Sequence, residues 1–368
     1  MRSKATVLLC CWLSPLAPGV WGSDLADGGA DQAIIARAIQ RELGPDFVPL
    51  VTNHFLVFHD RHRAWAQGRA RVLQSTHERF YAAMKAADWQ VEPLRQRLVC
   101  VLFYGHEQFA QYAQAADDVT EDWPGGYYST RTNRIALYNQ MGGPALSHFG
   151  STINRLQSRH TLLKLRLADT STSTQPALHA SLSRQVRAGE RQLQQLRGQQ
   201  SAAAEQANTA KTTHEAIHQL AFNSGLQVRG VLYPFWLSEG LATNFETHDA
   251  TRPFGPQNDN LVRRRALLEA HRRGTTIPLS HLITILGAAN WTPEEMTAAY
   301  GQAWGLFHHL FEEQRAELFD YFQIMNQPDP AALDPLVLRR QFVQTFGKLE
   351  TVDMRWRQFL GRLRSKSN

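Results

Sequence analysis

Cysteine is nearly absent from this chain. Its 368 residues include three, and two of those, Cys10 and Cys11, fall in a short apolar run near the N-terminus. That run follows the basic start Met1-Arg2-Ser3-Lys4 and precedes Val20-Trp21-Gly22, whose small residues suit a signal peptidase. Residues 1–22 therefore read as a secretory signal peptide, too short to span a bilayer. Leu9 stands where a lipoprotein signal needs a small residue, which argues against lipidation of Cys10. With the signal removed only Cys100 remains, so no intramolecular disulfide can form. Cys100 sits in the apolar run Leu98 to Phe103, where a buried strand would make its thiol inert. No other stretch is long and apolar enough to cross a membrane. The expectation is an exported protein, periplasmic or extracellular, and not transmembrane. Nucleic-acid motifs are also missing. The formal charge of +6 is mild for this size, and it suits anionic partners such as cell-wall polymers or lipid head groups.

The chemistry concentrates in Thr213-His214-Glu215-Ala216-Ile217-His218. On a helix, His214 and His218 point off one face, a turn apart, and two imidazoles so placed can hold one zinc ion. Glu215 lies about a third of a turn around, where it can take a proton from water. A catalytic zinc needs a third protein ligand and an open position. Glu239, in Trp236-Leu237-Ser238-Glu239-Gly240, is the natural candidate. Ile217, Leu220 and Ala221 continue the helical spacing, with Thr212 or Thr213 as N-cap. Asn223-Ser224-Gly225 supplies a stop, and Pro234 opens a second helix that carries Glu239.

At these residues the chain resembles the gluzincin zinc metallopeptidases, the thermolysin-like and aminopeptidase-like clan. It is more closely similar to an uncharacterised family of secreted bacterial gluzincin-like proteins. That likeness rests on Gly126-Tyr127-Tyr128 through Asn133 to Tyr138, on His214 to Asn223, on Pro234 to Thr243 and, more weakly, on Ala299 to Trp304. It covers most of the chain outside residues of about 142 to 210. The resemblance implies an α+β, gluzincin-like zincin. Its zinc would be held by His214, His218 and Glu239, with Glu215 as general base. It also implies hydrolysis of a peptide or protein substrate, with Tyr300 as a hydrogen-bond donor to the oxyanion. In gluzincins the sheet edge beside the active-site helix pairs with extended substrate, and the resemblance gives that role to the strand Arg134 to Tyr138.

One position departs from the thermolysin pattern. The aspartate that there orients a histidine ligand is here Thr243. Asn244, Asp249 or a backbone carbonyl would have to serve. Two other readings stay open. One is a non-catalytic zinc-containing binding or scaffold protein of the cell envelope, against which Glu215 argues. The other is a different zinc hydrolase on the same scaffold.

Along the chain, residues 23–141 read as an N-terminal lobe of strands and helices. It has strands at His54 to His59, Leu98 to Phe103, Tyr127-Tyr128 and Arg134 to Tyr138, and helices at 32–43, 61–87 and 107–115. His54, His59 and His62 cluster in sequence, but strand alternation sends neighbours to opposite faces, which argues against a second metal site. Residues 142–210 differ in texture, being rich in Gln, Ala, Ser and Arg. Leucines recur there at heptad-like spacing, so 151–210 reads as a coiled-coil-like helical hairpin inserted beside the site, first of all a solvated surface insertion, with an arm for a partner, a lid near the cleft or a partly disordered segment as the other readings. Residues 211–250 would form the zinc-binding helix pair and 251–368 a helical lobe. Trp236, Trp304 and Trp356 read as core, and His308 and His309 as structural.

Overall fold

The apolar run Leu98–Phe103 forms strand β3, the middle of a five-stranded sheet. The structure, a computed structural model, describes residues 28–119, 125–143, 146–287, 291–327 and 333–365. The expected signal peptide, with Cys10 and Cys11, lies outside these residues, as does Pro124. Strands β2 (Phe55–His59) and β5 (Arg134–Tyr138) run parallel to β3 on either side. Parallel neighbours require crossovers. Helix α2 (Arg63–Ala86) links β2 to β3, and α3 (His106–Asp117) with β4 (Gly126–Ser129) lies between β3 and β5. Strands β1 (Val48–Val51) and β4 close the two edges antiparallel, in the order β1-β2-β3-β5-β4.

Both faces of the sheet are covered, so its strands are apolar throughout rather than alternating. Phe55, Val57, Leu98, Cys100, Leu102, Ile135 and Leu137 enter the larger core. Leu56, Phe58, Val101, Phe103, Ala136 and Tyr138 enter a smaller one, where Ile39 of helix α1 (Gly28–Leu43) and Phe109 of α3 meet them. Cys100 is fully buried, and burial pushes its thiol pKa far up, so it stays protonated and inert. Strand β1 has no sequence signature: three of its four residues are exposed and it contains Pro49, as an edge strand can.

The strand Arg134–Tyr138, expected at the sheet edge, is instead internal, paired with β3 on one side and β4 on the other. The edge is β4. Each strand's existence is local information, whereas the order of strands depends on where the crossovers return.

The hairpin consists of α4 (Ser147–Ala168) and α5 (Pro176–Asn223). Ile153 and His160 of α4 are buried, as are Leu182, Val186 and Leu193 of α5. The expected helix start at Thr212 or Thr213 does not occur. Both threonines are mid-helix, with hydroxyls donating back to Asn208 O at 2.6 Å and Ala210 O at 2.9 Å. The motif helix and the second arm of the hairpin are therefore one 48-residue helix, and the boundary expected at residue 210 falls inside it.

After a stop at Gly225, with φ of 75°, the chain is helical: α6 (Phe235–Phe245), α7 (Leu261–Arg273), α8 (Leu279–Leu282), α9 (Pro293–Glu313), α10 (Arg315–Met325), α11 (Pro335–Phe346) and α12 (Leu349–Ser365). Helix α8 is a single turn. Past it the backbone leaves the helix, and Ile285 O accepts a 2.7 Å bond from Phe235 N at the start of α6. Trp236 and Trp304 are fully buried and Trp356 nearly so. Two glycines let helices touch at the site. A Cβ at Gly240 would lie 2.7 Å from Ala303 O of α9, and one at Gly301 2.7 Å from Leu267 N of α7. The architecture is mixed α+β and mostly helical, and the larger core runs unbroken from the sheet into the C-terminal helices.

Candidate metal centre

His214 and His218 sit one turn apart near the C-terminal end of α5, and α6 brings Glu239 up against them. His214 Nε2 is 3.2 Å from His218 Nε2 and 3.1 Å from Glu239 Oε2, and His218 Nε2 is 3.5 Å from Glu239 Oε1. A tetrahedral zinc ion with bonds of about 2.0–2.1 Å has ligand atoms roughly 3.4 Å apart, close to these edges. All three side chains are buried. Two imidazole nitrogens and a carboxylate oxygen converge, and the trio could hold a metal ion. Among the described residues it is the one such group.

The second nitrogen of His214 explains why Thr243 needs no carboxylate. His214 Nδ1 lies 3.3 Å from Glu246 Oε2. With a metal ion bound, donating the Nδ1 proton there would leave Nε2 as the ligating atom, the tautomer a metal ligand needs. Glu246 is held in turn by Arg263 of α7 at 2.6 Å. Asn260, the N-cap of α7, donates to Thr243 O and Glu246 O, both at 3.1 Å, and so locks the end of α6 to the start of α7. Burial disfavours the charged form of each of these groups, but their partners prevail. Glu246 is held at about 2 by Arg263 and His214. Glu239 lies well below the usual carboxylate range because of His218 and His214. The His214 ring rises to about 9 beside Glu239 and Glu246.

The groups expected to orient the ligand histidines are employed elsewhere. Asn244 donates to Gly240 O and Trp304 O and meets His308 Nδ1 at 3.1 Å, so His308 serves the packing of α6 on α9. Asp249 is in a surface turn, accepting from Thr251. Glu246 was not anticipated from the sequence. The seven-residue spacing from Glu239 could have pointed to it, although the helix ends one residue before it.

Glu215 is fixed at both oxygens. Oε2 accepts from the backbone N–H of Tyr128 on the edge strand β4 at 2.8 Å, and Oε1 meets Lys211 Nζ, one turn earlier on α5, at 2.7 Å. Tyr300 of α9 stands with its ring centroid 6.0 Å from that of His214, and the Arg263 guanidinium lies over the phenol ring at 5.0 Å. Lys211, His214, Glu246, Arg263 and Tyr300 line a cleft of about 310 Å³ together with Gly125, Gln140 and Met296. Of the five residues singled out from the sequence, His214, His218 and Glu239 form the buried trio, Glu215 lies next to His214 on α5, and His214 and Tyr300 reach the cleft. Sequence reasoning missed Lys211, Glu246 and Arg263.

Residues 208–332 match the model of a family described as a protein of unknown function (DUF1570). No curated protein and no solved structure matches the chain. The matched third of the chain contains every residue of the centre from Lys211 to Tyr300, and it begins where α5 leaves the hairpin and enters the core.

Proposed function

We propose that this protein is a zinc-dependent hydrolase of peptide bonds, with a centre of gluzincin type. The observation that carries the proposal is the convergence of His214 Nε2, His218 Nε2 and Glu239, next to Glu215 in the sequence motif, with His214 also lining a cleft. Three protein ligands of this kind, which leave a fourth position for water, are the set of catalytic rather than structural zinc. Bound there, zinc would supply Lewis acidity, polarising a carbonyl and acidifying water.

The chain's own residues do the rest. Glu215 takes a proton from the attacking water and returns it to the leaving amine. The Tyr128 amide and Lys211 hold its carboxylate in place. Glu246 keeps His214 in the ligating tautomer. Tyr300 donates its phenol proton toward the oxyanion. A substrate strand laid along β4, the edge beside α5, would pass the Glu215 carboxylate.

One observation favours a second reading, a non-catalytic metal-holding protein of the cell envelope: both Glu215 oxygens already accept bonds. A single experiment separates the two. In Glu215→Gln, metal analysis should find zinc retained while hydrolysis of a denatured protein or peptide library is lost. Equal activity in variant and parent would end the catalytic reading. His218→Ala should lose the metal, and stoichiometric zinc in that variant would place the site elsewhere.

A further inference from the structure

The outer part of the α4–α5 hairpin is strongly basic. Residues 147–200 hold eight Arg or Lys against two acids, Asp169 and Glu190. That excess of six equals the formal charge of the whole chain, so the other residues balance at 31 basic against 31 acidic. All eight basic side chains are exposed. Glu190 pairs with Lys164 at 3.0 Å, which leaves most of the arm's charge facing water. Helical spacing gathers Arg155, Arg159 and Arg166 on one stripe of α4, and Arg184, Arg187 and Arg191 on one stripe of α5.

The end of the arm is apolar as well as basic. Leu162, Leu165 and Leu178 are 61%, 58% and 49% exposed. They lie in the last turns of α4 and the first turn of α5, within about 10 Å of the hairpin tip along the helix axes. Leu162 falls on the same stripe as Arg159 and Arg166. None of the three is needed for the seam, which Leu182, Val186 and Leu193 fill.

We infer that this arm docks the protein, tip first, on an anionic phospholipid surface. Exposed leucines beside cations match the region between head groups and acyl chains, where apolar side chains sink about 5–10 Å and basic ones meet lipid phosphates. No described helix is long and apolar enough to cross a membrane, so the contact is interfacial. A nucleic-acid partner would use the cations but leave the leucines in water. The arm's one aromatic, Phe149, lies at its base, so it offers no platform for stacked bases. A second copy of the arm would be repelled by like charge.

The test is co-sedimentation of the full chain with phosphatidylcholine vesicles, with and without phosphatidylglycerol. Binding is expected only with phosphatidylglycerol and should weaken as salt rises. Replacing Arg159, Arg166 and Arg187 together by Gln should weaken it on the order of a hundredfold. Replacing Leu162, Leu165 and Leu178 together by Ser should weaken it about tenfold. Both variants should keep the parent's metal content and melting temperature, so a failure here is distinct from a failure of the metal site. Any of three results overturns the inference. They are no binding to anionic vesicles at low salt, equal binding to neutral ones, and binding untouched by both sets of substitutions. Arm-dependent retention of duplex DNA or RNA without vesicle binding would reassign the surface to nucleic acid.

Discussion

Glu246 Oε2 lies 3.3 Å from His214 Nδ1, and Glu246 is the residue that caps the C-terminus of α6. Helix α6 therefore delivers a candidate ligand, and its C-cap delivers the group that orients another ligand. Arg263 anchors that group at 2.6 Å, so the start of α7 is coupled to the centre as well.

Glu246→Ala should weaken metal binding about 10–100-fold without abolishing it, as loss of an orienting partner does at other metal sites. Competition with a chelator of known affinity reads this directly. Affinity equal to the parent's would remove Glu246 from the centre.

Tyr300→Phe deletes one hydroxyl and keeps the ring beneath Arg263. If the phenol steadies the oxyanion, kcat should fall about 10²-fold or more while zinc content stays stoichiometric. An unchanged kcat would make Tyr300 a packing residue of α9.

Truncating the hairpin should have opposite outcomes at two cut points. Removing residues 158–196 leaves Gln157 and Arg197, already bonded at 2.8 Å, to be joined by a short glycine linker. That protein should melt cooperatively and bind metal. Removing residues 151–210 also deletes Asn208, which bonds Gln140 N and Asn139 at 3.0 Å each, and Glu205 and Thr209, which satisfy the buried Arg69. Stranding a buried guanidinium costs about 3–5 kcal/mol, so the longer deletion should be insoluble or unfolded. A well-folded product from it would show that these contacts are dispensable.

Acid should destabilise the fold through histidines buried in neutral form. Burial lowers His309 from 6.5 to about 4, and His77 likewise, the latter with His54 adding to the shift. Because both folded values lie below the unfolded one, their contribution is complete above pH 6.5 and is lost as pH falls toward 4. For His309, which is 1% exposed, the loss is on the order of 3 kcal/mol. His309→Leu should therefore show a smaller fall in Tm between these pH values than the parent. Parallel Tm curves would refute this.

Much was legible in the chain itself. The strands Leu98–Phe103 and Arg134–Tyr138 occur with the limits read from the sequence, and the part after residue 251 is helical as expected, because these segments are strongly apolar or periodic. The pairing of His214 with His218 is local too, since four residues make one helical turn. Spacing also placed Glu239 on a helix after a stop at Gly225.

What the sequence could not decide was whatever depends on elements meeting in space. The rank of β4 as the sheet edge, the reach of Glu246 to His214, the capture of Glu215 by the Tyr128 amide and the seating of Arg263 over Tyr300 all join residues far apart in the chain. The unbroken helix α5 is the instructive case. Threonine at 212 and 213 reads locally as a helix start, yet packing against the core keeps the helix going, because a weak local preference yields to buried contacts along its length. Local periodicity therefore determined the elements and the donor pair. Tertiary packing alone decided which carboxylates, amides and cations surround that pair, because those contacts arise only when helices and sheet close on one core.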